Sequence, residues 1–414
     1  MEASARSRLW SRCKSRATAY YRALTRDFNY STDFFFGQDF LMAIAGARLN
    51  STNVRIRRWW NAYRAGGFLE HFCDGAKSRE AGNCTELRAG NGWNGVTMLR
   101  MMIILWHYDS LMEVRRYVNR RKFGKNLQLS LGIRSEAFYH IRKIVFISTT
   151  VILTVMTSFL AVDFSDHHYF KIPFIEQFGT VVQKLCQKAL NLAFYGVGVM
   201  TVFVYLFPYT ILNGMMSELK VLAQAFSVVF DNTEMRVQRK LELEPGNSRQ
   251  QDLMKKRFFW KFVQEEFALL NRIRPFLNAT FLIVYYSTVM SLSSGAIYVS
   301  QMENVTIFSL NTLYYCVWVA FECGTLTRTV SLLTESQESI GWEVYNLDWP
   351  EKLEWDDQFQ EEYRSVRATM LNVMIVAQQP LGLNCYGFFE FTQDRFYELL
   401  NMAYSVYTFF RDFV

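Results

Sequence analysis

Near the C-terminal end the chain carries Asp394, Glu398, Asn401, Ser405, Thr408 and Asp412, at steps of three and four. On a helix turning about 100° per residue, these six fall within about 40° of one line, and Tyr404 stands beside it. The other faces hold Phe396, Leu399, Leu400, Met402, Ala403, Val406, Phe409 and Phe410. In a bilayer such a polar stripe must face protein or water. Two chemistries meet that demand. The stripe either hydrogen-bonds to neighbouring helices or lines an aqueous path. Carboxylates at both ends attract cations, as acidic rings do in channels, and weigh towards the path. A single stripe cannot enclose a pore, so a path would need several subunits around an axis.

A second group mixes aromatics with hydroxyls: Thr154, Thr157 and Ser158, then Phe194 and Tyr195, then Tyr314, Tyr315 and Trp318. Small and hydroxyl residues serve ordinary helix packing. The same mixture suits a pocket for a small apolar ligand, with aromatic walls for dispersion and a hydroxyl or two for orientation.

Other motifs carry less. Gly90, Gly92 and Gly95 spell GxGxxG, but a loop is expected before them and a membrane helix after, not a βαβ unit. They read as a flexible extracellular turn. His167 and His168, with Asp163 and Asp166, read as a solvated loop, because adjacent ligands seldom close a tetrahedral site. The chain has no His-Glu-x-x-His, Gly-x-Ser-x-Gly or P-loop, so nothing supports an enzyme. No metal, cofactor or nucleic-acid partner is expected. The seven Cys show no CxxC pairing. Cys73 and Cys84 either pair outside the membrane or stay free, like the rest.

The elements that hold these residues follow from where the charge lies. Half of the 414 residues are apolar and 16% are aromatic, yet only six are Pro. Charge-poor runs over 144–162, 189–212, 276–299 and 305–324 are each about twenty residues long, which reads as membrane-spanning helices. A further span is expected over 95–114, and the final segment up to 414 makes another. Lys and Arg concentrate in 1–26, 115–143 and 220–274, which places those segments in the cytosol. The basic N-terminus is not followed closely by an apolar run with a small-residue cleavage site, so no secretory signal is read there. Parity then requires one earlier crossing, placed near 54–73 despite its charges. The expectation is an all-α integral membrane protein with seven spans, N-terminus cytosolic and C-terminus extracellular. Sequons at Asn29, Asn50, Asn83, Asn278 and Asn304 test this, since only Asn83 and Asn304 would lie outside. The segment 254–276 reads as a membrane-surface helix or as a cytosolic extension of the next span.

The final helix with Ala-Tyr-Ser-x-Tyr-Thr-x-x-Arg over 403–411 resembles the end of insect odorant receptors. The Lys-Ile-Pro-Phe loop at 171–174, the acidic loop over 335–367 and the DFFF…GQDFLMAIAG stretch over 33–46 are similar to that family too. The resemblance covers most of the chain in order, and the inverted seven-span topology agrees with it. It implies a ligand-gated, non-selective cation channel, a tetramer in which an odorant-binding subunit joins a common co-receptor. It further implies a plasma-membrane location in a sensory neuron dendrite and a small volatile organic ligand. The ligand pocket would lie in the outer halves of spans two, three, four and six, where the aromatic and hydroxyl group falls. The final helix would split into a cytosolic anchor part, 363–380, and a pore-lining part, 395–413, with Gln379, Pro380, Leu381 and Gly382 as the break.

The organisation that follows is a cytosolic region 1–53, spans one to four with the pocket over 54–212, and a cytosolic loop and helix extension over 213–275. Spans five and six occupy 276–330, and 331–414 holds the acidic loop, anchor helix and pore-lining span. The short loop 217–274 and the ending Tyr-Thr-Phe-Phe-Arg-Asp-Phe point to an odorant-tuning subunit rather than the co-receptor. A gustatory-type homomeric channel and a membrane transporter are the alternatives.

Overall fold

A computed structural model describes residues 27–30, 32–44, 84–120, 128–161, 180–228, 248–300, 307–347, 360–379 and 381–411. The expected first span, the His167–His168 loop, Cys73, Asp412 and the sequons at Asn50, Asn83 and Asn304 lie outside these residues. Among the described residues the secondary structure is helical: α1 (Phe36–Ile44), α2 (Cys84–Trp106), α3 (Tyr108–Arg120), α4 (Gln128–Ala161), α5 (Thr180–Ser227), α6 (Ser248–Ser300), α7 (Ile307–Tyr345), α8 (Gln360–Gln378) and α9 (Gln393–Arg411). One isolated antiparallel bridge joins Asn384 to Glu390.

Among the described residues three segments are long and apolar enough to cross a membrane: Ser130–Thr157, Gly196–Ser227 and Asn271–Ser300, with a shorter apolar helix over Gly95–Trp106. Phe146 on α4 and Met290 on α6 are exposed. Exposed apolar side chains along such helices are what a lipid-facing surface requires.

Several helices outrun the apolar runs that announce them. α5 spans 48 residues and α6 spans 53, each with a proline inside, Pro208 and Pro275. Residues 254–276 therefore share one helix with the span that follows. α7 continues to Tyr345, so the start of the expected acidic loop is helical. Charge marks where a helix meets water, not where its backbone hydrogen bonds stop. Two expectations are corrected. Gly90, Gly92 and Gly95 lie on α2 rather than in a turn. The expected 95–114 span is two helices, broken at His107, whose carbonyl accepts from the Leu111 N–H. The second of them, α3, is amphipathic: Leu111, Val114, Arg115 and Val118 are buried at helical spacing.

The chain forms two compact units, and the boundary between them is crossed within α2, α4, α5 and α7. The first comprises Met1–Leu105, Phe138–Pro208 and Thr306–Asn311. Its centre is α5, where Val199, Val202, Phe203, Val204, Tyr205, Leu206 and Phe207 are all buried. A segment buried on every side reads as a continuous apolar run instead of a stripe. Phe35 packs its ring 5.8 Å from that of Phe207, and Phe34 stands edge-on to Phe138 at 5.8 Å.

The second unit comprises Trp106–Ala137, Tyr209–Val305 and Thr312–Val414. Here α6 is the hub, and α3, α8 and α9 all pack on it. Ile273, Phe276, Leu277, Phe281, Val284 and Val289 form its buried face. Where α6 meets α7, Gly295 sits so close that a Cβ there would lie 2.2 Å from Cys316 Sγ. α8 turns Val366, Met370, Val373 and Ala377 inward. Its free C-terminal carbonyls are capped by Gln337 of α7, whose Nε2 donates to Gln379 O at 2.6 Å and to Ala377 O at 3.2 Å. Arg134 of α4 and Glu218 of α5 make a buried two-point ion pair, with Nε to Oε1 at 2.8 Å and Nη2 to Oε2 at 2.5 Å. Removing either partner would leave an uncompensated buried charge, a loss of about 3–5 kcal/mol.

Candidate functional site: the terminal helix and its junction

The junction between α8 and α9 decides where the polar stripe points. Gly382 has φ +60°, and a Cβ on it would lie 3.3 Å from the Arg274 guanidinium carbon. Gly387 at φ +84° and Tyr386 at φ 54° complete a tight reversal. The break expected at 379–382 thus extends to residue 392. One face of α6 grips this reversal. Asn278 Nδ2 donates to Asn384 Oδ1 at 3.2 Å, and the Asn384 N–H donates to Asn278 Oδ1 at 3.1 Å. One turn further, the Phe281 ring stacks on Phe391 at 4.3 Å with the planes 4° apart. Tyr285 lies 4.4 Å from the Phe389 ring. Positions 278, 281 and 285 share a helix face, so the reversal is held at three successive points.

Beyond the junction, α9 buries Leu399 and Ala403. Ser293 of α6 donates its hydroxyl to the Ala403 carbonyl at 3.0 Å. Phe396 reaches α7, where a Cβ on Gly324 would lie 3.2 Å from its ring. This packed seam runs along one side of the helix. Along the other side lie Asp394, Glu398, Asn401, Tyr404 and Ser405, all exposed, and Thr408, half-buried. Glu398 pairs with Arg395 on the same helix. The Ser405 hydroxyl donates to the Asn401 carbonyl at 2.9 Å, and the Thr408 hydroxyl to the Ser405 carbonyl at 2.9 Å. These hydroxyls bond back to their own helix, and each oxygen keeps its lone pairs as acceptors. Tyr397, Met402 and Phe409 flank the stripe and are exposed.

The candidate ligand residues divide between the units. In the first, Thr154 and Thr157 are exposed, and their hydroxyls bond back to Thr150 O at 2.9 Å and Leu153 O at 2.6 Å. The side chains of Ser158, Phe194 and Tyr195 lie outside the described residues. In the second, Tyr314 is exposed, Tyr315 is half-buried, and Trp318 is buried with its ring 5.9 Å from Phe321. No group of three or more His, Cys, Asp or Glu among the described residues is placed to hold a metal ion.

Sequence reasoning missed the Asn278–Asn384 pair and buried Arg100. The first joins positions 106 residues apart and has no local signal. The second did have one, a charge inside an apolar helical run.

No protein-family model and no curated relative matches the chain. Its fold is similar to the solved structure of the insect olfactory receptor OR5 from Machilis hrabei, with a TM-score of 0.66 at 9% identity over 91% of this chain and 99% of that one. The structure of that receptor in complex with eugenol is similar at a TM-score of 0.64 and 10% identity, over 91% of this chain and 98% of that one. Over 91% of its length the chain therefore shares the fold of that olfactory receptor.

Proposed function

We propose that the chain is the odorant-binding subunit of a heteromeric, ligand-gated, non-selective cation channel in the plasma membrane. It crosses the bilayer seven times, with the N-terminus in the cytosol and α9 as the pore-lining element. The observation that carries this reading is the position of the polar stripe. Asp394, Glu398, Asn401 and Ser405 are exposed on the side of α9 away from its seam with α6 and α7. The stripe bonds only within α9 among the contacts described above, and the seam with α6 and α7 does not use it. A bilayer would not tolerate it, and an aqueous path shared with other subunits would.

In this reading a small volatile ligand binds among the aromatic and hydroxyl residues Thr154, Thr157, Ser158, Phe194, Tyr195, Tyr314, Tyr315 and Trp318. It favours the open state only through tighter binding there. The change passes along α6 to the reversal at 381–392 and so to α9. Asp394, Glu398 and Asp412 raise the local cation concentration. Tyr404, Ser405 and Thr408 form the narrow part. Co-receptor subunits complete the ring. Whole-cell recording from cells that co-express the chain with a co-receptor, exposed to a volatile panel, tests this. A cation current within milliseconds and without added nucleotide supports it, and a response that depends on G-protein signalling refutes it.

A further inference from the structure

α5 is unbroken from Thr180 to Ser227 although Pro208 lies inside it. Proline has no N–H, so the carbonyl four residues back, that of Val204, has no helix donor from position 208. Val204 is fully buried, and a buried carbonyl without a partner is costly. Arg100 of α2 meets this need. It is 5% exposed and donates from Nη2 to the Val204 carbonyl at 3.2 Å. Two further bonds fix the same stretch. Gln38 of α1, 1% exposed, donates from Nε2 to the Leu206 carbonyl at 3.0 Å. The Thr97 and Thr201 hydroxyls are 3.0 Å apart, one turn before Arg100 on α2 and one turn before Val204 on α5. The division of α5 between the two units falls directly after Pro208. A charge within the apolar segment Gly95–Trp106 is expensive in a membrane protein and needs a local reason. The gap left by the proline supplies one.

We infer that Arg100 is a positioning residue that acts through Pro208: its guanidinium supplies the hydrogen bond that the proline denies Val204, and so holds α5 continuous past the proline. The bond is a structural property of the chain. Its effect on gating rests on the channel reading above.

The test uses the full-length chain in detergent and four variants: Arg100→Met, Arg100→Lys, Pro208→Ala and the double Arg100→Met/Pro208→Ala. Alanine at 208 restores a backbone N–H for Val204. Arg100→Met should lower the melting midpoint by roughly 2–4 °C. On the Pro208→Ala background the same change should cost less than half as much. Arg100→Lys, which keeps a donor, should recover much of the loss. Equal losses on the two backgrounds would overturn the inference, because independent sites add. If Arg100→Met does not accumulate, the double variant should. Failure of both would also count against it.

The second arm is the ligand-evoked current with co-receptor. Arg100→Met should shift the half-maximal ligand concentration at least about threefold, with the reversal potential unchanged and the shift reduced by Pro208→Ala. A normal dose response in a variant with a lowered midpoint would overturn the positioning role. Should the unmodified chain give no current, the channel reading fails while the melting comparison still decides the hydrogen bond.

Discussion

Asn278 and Asn384 clasp each other by two hydrogen bonds, side chain to side chain at 3.2 Å and backbone N–H to side chain at 3.1 Å. Asn384 in turn accepts from the Gly387 N–H at 3.0 Å, which closes the reversal ahead of α9. The clasp connects the hub helix to the element that carries the polar stripe.

Asn278→Ala should therefore destabilise the chain by about 1–3 kcal/mol, the cost of leaving the half-buried Asn384 backbone N–H and side-chain amide without these partners. The melting midpoint of purified protein measures it. Asn278 is also a sequon, but it is buried and doubly bonded. Asn278→Gln should leave the glycan-dependent gel mobility unchanged.

Gly295→Ala places a methyl group 2.2 Å from Cys316 Sγ. Either the Cys316 thiol rotates away or helices α6 and α7 part to admit it. The expected cost is about 1–3 kcal/mol, typical of an overfilled core. Thermal unfolding should show it, and pairing it with Cys316→Ala should recover part of the loss.

Burial pushes the Cys385 thiol from 9.0 up to about 12. At pH 8 an ordinary thiol of that reference value is roughly one-tenth thiolate, and this one far less. Maleimide should leave Cys385 unmodified in folded protein and label it after denaturation, as mass mapping would reveal. The sign for stability follows. Above pH 9 the unfolded chain loses this proton while the folded chain keeps it, so the contribution of Cys385 falls as pH rises from about 9 to 12.

Pore and pocket substitutions should separate. Ser405→Leu or Thr408→Leu should change single-channel conductance and leave the order of ligand potency intact. Thr157→Ala or Tyr314→Ala should reorder ligands, by about 10-fold for pairs differing by one methylene, with ion permeability unchanged. Dose-response series and reversal potentials on the same cells decide it.

How much of this was legible in the sequence depends on range. The stripe on α9 was, because its partners are residues three and four apart on one helix. The split between α8 and α9 was too, since Gln379 to Gly382 hold the Pro and Gly that interrupt a helix. Helix lengths were not. α5 and α6 run on through Pro208 and Pro275, where a local rule expects a stop; at Pro208 the distant Arg100 replaces the missing bond. The glycines at 90, 92 and 95 lie on a helix that their composition disfavours. Gln337 as the cap of α8 and Asn278 as the clasp of the reversal act across long separations, and nothing at either end announces them.

The central claim is that the exposed face of α9 borders water shared among subunits. Cysteine placed singly at Asn401, Ser405 and Thr408, in chains co-expressed with co-receptor, tests it most directly. A charged thiol reagent applied during ligand exposure should alter the current at all three positions and leave it unchanged at Leu399, on the packed seam. Currents that ignore the reagent at Asn401, Ser405 and Thr408, with the thiols demonstrably unmodified, would contradict the account.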